Sequence, residues 1–104
     1  AGDAAALDVA RRLVADGRDR ALAPLERWFA YLPFEHAENL ADQQESLRLF
    51  GELAEEGLAE PLDWARRHHE VISRFGRYPH RNEILGRAST AEEVEFLKQP
   101  GSRF

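Results

Sequence analysis

The sequence predicts an all-α fold of about five to six helices, arranged as antiparallel helical hairpins stacked side by side. Three observations predict it. Apolar residues recur every three to four positions along successive segments; glycine or proline bounds each segment; and no stretch alternates polar and apolar residues for long enough to form a strand. Connections this short turn each helix back against the one before it.

The elements follow in order. Residues 4 to 16 put Leu7, Ala10, Leu13 and Val14 on one stripe, with Arg11, Arg12 and Asp16 off it, and Gly17 supplies the stop. Pro24 suits the first turn of a second helix carrying Leu25, Trp28, Phe29 and Leu32, which Pro33 is expected to end. A third, longer helix is expected from about Glu35 to Glu56, with Leu40, Leu47, Phe50, Leu53 and Ala54 on its apolar face and Gly57 closing it. Pro61 opens a fourth, in which Leu62, Ala65, Val71, Ile72 and Phe75 are spaced to face inward, and Gly76 ends it. Between Pro79 and Gly86 there is room for one or two turns holding Ile84 and Leu85. Thr90 with Glu93 then forms a capping box leading into Val94, Phe96 and Leu97. Trp28, Phe29, Tyr31, Phe34 and Phe50 read most economically as core.

Composition narrows the function classes. At 104 residues the chain is expected to form a single helical domain over 1–104. It has no cysteine, which removes disulfides, thiolate nucleophiles and Cys-based zinc sites. The net charge of −5 disfavours nucleic acid as a partner, because replacing phosphate counterions needs a basic face. No apolar run approaches the ~20 residues that span a bilayer, and no signal-peptide pattern opens the chain, so no membrane association and a cytoplasmic setting are expected. Charge is unevenly placed. Between Glu35 and Asp63 nine acids face the single base Arg48, whereas from Arg66 to Arg87 six arginines face Glu70 and Glu83.

Two clusters hold the candidate functional residues. Arg74, Arg77, His80, Arg81 and Asn82, with Arg87 beyond them, offer guanidinium forks and a helix start after Pro79, which together suit a phosphate or carboxylate. Glu35, Glu38, Asn39 and Asp42 are expected to share one side of a helix, with His36 next to Glu35 in the chain, and the acids there pair with those arginines or, with His36, supply acid/base chemistry. Gly76 and Gly86 serve equally as helix stops or as places where backbone approaches a ligand. A metal centre and cofactors are not expected. His36, His68, His69 and His80, with Glu38 or Asp42, lack any paired ligand motif, and the adjacent His68 and His69 diverge by about 100° on a helix. Hydroxyl nucleophiles are few: Ser89 and Thr90 read as caps, and Ser46 lies on an ordinary helix.

The wording "RWFAYLPFEHAENLADQQESLRLF" followed by "ARRHHEVISRFGRYPHRNEILGRASTAEEVEFL" resembles the C-terminal half of a bacterial family of uncharacterised proteins, domain of unknown function 924. The resemblance implies an all-helical, tetratricopeptide-like right-handed stack. It also implies that the chain is the C-terminal part of a longer protein, since the "DFWF"-like start and "LDQFPRN"-like segment of such proteins are not in it. A surface left by that missing half would favour self-association or a protein partner. The hairpin pattern, the lack of a nucleophile–base–orienter set and the uneven charge point to a protein-interaction or scaffold module, and they leave catalysis undecided. The alternative is a small-anion-binding protein or enzyme that joins the cluster at 74 to 82 to the cluster at 35 to 42.

Overall fold

The computed structural model describes residues 2–104, and among them every regular element is helical. Six α-helices follow one another: α1 (Gly2–Ala15), α2 (Pro24–His36), α3 (Leu40–Glu55), α4 (Glu60–Phe75), α5 (Asn82–Leu85) and α6 (Ala91–Leu97). Short 3-10 turns at Arg18–Ala21 and Pro79–Arg81 bridge α1 to α2 and α4 to α5. Helices α2, α3 and α4 form successive hairpins, with α1 laid against α2.

The core lies where these helices meet. Ala10, Tyr31, Phe34, Leu49, Phe50, Leu53 and Ala65 form one buried cluster, and Tyr31 meets Phe50 edge-on with ring centroids 5.8 Å apart. A smaller cluster of Val71, Ile72 and Tyr78, backed by Phe75 and Phe96, attaches the C-terminal segment. Interior side chains such as Leu53 and Phe50 contribute most to stability, since truncating one in a packed core costs about 2–5 kcal/mol.

The second and third helices are divided differently from the sequence expectation. Pro33 does not end α2, which runs on through it to His36. A proline three residues from a helix end removes only one backbone bond, and its fixed φ is itself helical. The break falls instead at residues 37–39, where Asn39 caps α3 by accepting a hydrogen bond from the Asp42 N–H at 3.2 Å. Glu35 thus belongs to the last turn of α2, not to the face that carries Asp42.

The buried stripe of α3 is more polar than expected. Its first turns point Gln43 and Ser46 inward, both fully buried, while Leu40 is 45% exposed. Gln43 Nε2 lies 2.6 Å from the Glu35 carbonyl, 2.9 Å from that of Ala37 and 2.6 Å from the Tyr78 hydroxyl. The tyrosine in turn donates to the Glu35 carbonyl. The end of α2 is therefore capped from the interior, by side chains that supply the donors its last carbonyls lack.

The aromatic residues also part company. Tyr31, Phe34 and Phe50 are buried and Trp28 half-buried, but Phe29 is 66% exposed, a correction to its reading as core. Gly76 and Gly86 take φ of +74° and +69° at the ends of α4 and α5, and open space surrounds the position a Cβ would occupy at either. Both act as left-handed helix stops.

Candidate functional site

The connection between α2 and α3 and the segment 78–87 face each other, and their contact is ionic. Glu38, at 38 in the connection, accepts from both ends of the Arg87 guanidinium at 3.0 Å and from the Tyr78 backbone N–H at 2.6 Å. Burial works to raise the Glu38 pKa, but these hydrogen bonds and the nearby charges of Arg87 and Arg81 bring it below the usual carboxylate value. Arg87 Nε reaches the Asn82 side-chain oxygen at 3.0 Å, and Asn82 donates to Ser89 Oγ at 3.0 Å. Asn82 is thus a buried internal link, and Ser89 is its acceptor, not a helix cap.

The remaining arginines of the basic cluster are also engaged within the chain. Arg77 makes a two-pronged pair with Glu93, at 2.9 and 2.7 Å, and donates to the Ala88 carbonyl. That pair, with the Thr90 capping box, holds the Glu93 carboxyl down at about 2. Arg74 donates to Glu92 at 3.3 Å and lies over the rings of Phe75 and Phe96. Arg81 donates to the His36 carbonyl at 3.0 Å, stands 4.0 Å from Glu38 and covers the Tyr78 ring. His80 sits between Tyr78 and Phe104, with its Nδ1 buried and lacking a hydrogen-bond partner among the described residues. Because α5 is only four residues long, the helix start after Pro79 offers no dipole of consequence.

The acidic residues disperse. Asp42 takes a bidentate pair from Arg11 of α1, with Nη2 2.7 Å from Oδ2, which spacing along the chain gave no means to expect. Glu35, by contrast, forms no ion pair with an arginine among the described residues. Its carboxylate is buried between two histidines, with Oε1 3.6 Å from His68 Nδ1 and Oε2 3.8 Å from His36 Nε2. Burial pushes the Glu35 carboxyl up to about 7. Burial also lowers His36, aided by Arg81, and it brings His68 down to about 4 against the pull of the Trp64 carbonyl. Burial thus favours the uncharged form of both rings. His68 was legible as an inward residue, since it continues the buried Pro61, Ala65, Ile72 stripe of α4, and His69 lies off that stripe. Its meeting with Glu35 was not legible, because the two are on different helices.

Beside this cluster runs an open groove of about 860 Å³ between α1, α2 and α5. Leu7, Phe29, Leu32, Ile84 and Leu85 form its apolar walls, while Arg11, His36, Glu38, Asp42 and Arg81 stand at its charged end. Ile84 is 87% exposed and Leu85 57%. The sequence pattern places both only in the one or two turns between Pro79 and Gly86.

Known proteins resemble the chain along nearly its whole length. A family model described as a bacterial protein of unknown function, DUF924, matches residues 1–101. The solved structure of a protein of unknown function, ATU0120 from Agrobacterium tumefaciens, is similar at a TM-score of 0.85 and 42% sequence identity, over 94% of this chain and 53% of that one. The chain thus spans about half the length of that relative. Among proteins of curated function none matches it.

Proposed function

The chain belongs to the DUF924 family of bacterial proteins, and from that premise we propose that it is a non-enzymatic interaction module that receives an amphipathic helix in the groove between α1, α2 and α5. The observation that carries the reading is the groove itself, about 860 Å³ with exposed Phe29, Ile84 and Leu85 along its walls. Large aliphatic and aromatic side chains left in water on both sides of a channel cost free energy that a docked apolar helix face recovers, at about 25 cal/mol per Å² buried. Helix-in-groove recognition uses this chemistry, with anchor residues three and four positions apart.

We take α1 to α4 as a tetratricopeptide-like stack whose neighbouring helix on the α1 side is that occupant. ATU0120 has about as much chain again beyond the part matched here, and a helix from that remainder has the reading's required chemistry if it presents an aliphatic row. The basic residues weigh less for an anion-binding alternative, because Arg74, Arg77 and Arg87 are already hydrogen-bonded to Glu92, Glu93 and Glu38.

The test mixes this chain with the separately expressed remainder of ATU0120 and measures complex formation by analytical ultracentrifugation. A one-to-one complex is expected, lost in Ile84→Glu and Phe29→Glu but kept in Glu60→Lys on the remote α4 start. Absence of any complex, or a complex indifferent to the groove substitutions, sinks the reading.

A further inference from the structure

The last turn of α2 sets Glu35 beside His36, and the middle of α4 brings His68 against both. One ligand atom from each of the three lies within 4.8 Å of the others. The Glu35 side chain is only 5% exposed, yet the ring nitrogens nearest its oxygens, at 3.6 and 3.8 Å, are beyond hydrogen-bond range. A buried carboxylate in that position is disfavoured unless a cation or proton accompanies it. Arg81 does not neutralise it, being turned to the His36 carbonyl and Glu38.

The donor set and its support are those of a metal ligand group. Two neutral imidazoles with one carboxylate suit divalent transition metals such as zinc. His68 Nδ1, which is also the ring nitrogen facing Glu35 at 3.6 Å, is 2.7 Å from the Trp64 carbonyl, so an ion either takes Nδ1 from that carbonyl or meets Nε2 with Nδ1 as the outer hydrogen-bond donor. Phe104 stacks on that ring at 3.8 Å and Tyr78 meets it edge-on at 5.5 Å, so its orientation is held from two sides. His36 is half exposed and lines the groove, which gives an ion a path in and the side-chain freedom to draw the three donors together.

We propose that Glu35, His36 and His68 form a binding site for one divalent transition-metal ion of the zinc class, with its remaining positions open toward the groove. The site does not depend on helix docking, and either can fail without the other.

Chelator-treated protein is titrated with Zn²⁺ by calorimetry and with Co²⁺ by visible absorption, the metal alone serving as probe. One equivalent is expected to bind. His36→Ala, at a half-exposed position, is expected to fold normally by circular dichroism and to weaken binding roughly 100-fold or more. Glu35→Gln, which keeps the side-chain volume, is expected to do the same, while His69→Ala changes nothing. No saturable binding at millimolar metal overturns the proposal. So does binding that survives His36→Ala, or that His69→Ala removes to the same degree.

Discussion

Single side chains join the two ends of this molecule, and their removal tests how much each join contributes. Gln43 supplies donors to the Glu35 and Ala37 carbonyls from within the core, so Gln43→Leu replaces them with an apolar group of similar size. We expect it to cost about 1–3 kcal/mol in urea unfolding, the penalty of the Ala37 carbonyl left without its donor while the Tyr78 hydroxyl still serves that of Glu35. A neutral result would mean that the carbonyls find other partners. Glu38 and Arg87 are each about three-quarters buried and share two hydrogen bonds. A double-mutant cycle with Glu38→Ala and Arg87→Ala should give a coupling energy of about 0.5–3 kcal/mol. Near-zero coupling would remove this pair as the clamp between the α2–α3 connection and segment 78–87.

Elements depend on how their ends are closed. Helix α6 is only seven residues long and begins at Thr90, whose hydroxyl accepts from the Glu93 N–H at 3.1 Å. Thr90→Ala should destabilise the protein by about 1 kcal/mol, read as a lower unfolding midpoint. The same end carries a pH dependence. Arg77 holds folded Glu93 at about 2, below its ordinary value of 4.5, so the folded state binds fewer protons there than the unfolded chain. The stabilisation is therefore complete above pH 4.5 and is lost as pH falls toward 2. Unfolding midpoints of the wild type and Glu93→Gln, measured across that window, should converge at its acid end. Curves that stay parallel would contradict the pairing.

At the scale of the whole molecule, the charge imbalance along the chain becomes a set of joints between its parts. Arg11 to Asp42 ties α1 to α3, Arg87 to Glu38 ties segment 78–87 to the α2–α3 connection, and Arg77 to Glu93 ties the end of α4 to α6. What these joints leave open is apolar. Ile84→Glu and Phe29→Glu should leave the unfolding free energy within about 0.5 kcal/mol of wild type, because both side chains already face water. A larger loss in chemical denaturation would show that the groove walls are structural.

Helix number, most helix ends and the capping box at Thr90 were legible in the sequence, because periodicity, glycine stops and capping chemistry act over a few residues. So was the family, through the long motifs around YLPFEHAE and RFGRYPHRNEILGR. The continuation of α2 through Pro33, the inward turn of Gln43 and the exposure of Phe29 were not, since each depends on which neighbour covers a helix face. The candidate site was legible only in its parts: Glu35, His36 and His68 are visible as residue types. Packing of α2 against α4 placed them together, while the arginines expected beside Glu35 found Glu38, Glu92 and Glu93. Local chemistry sets the elements of this protein, and burial between helices distant in sequence decides which charges meet.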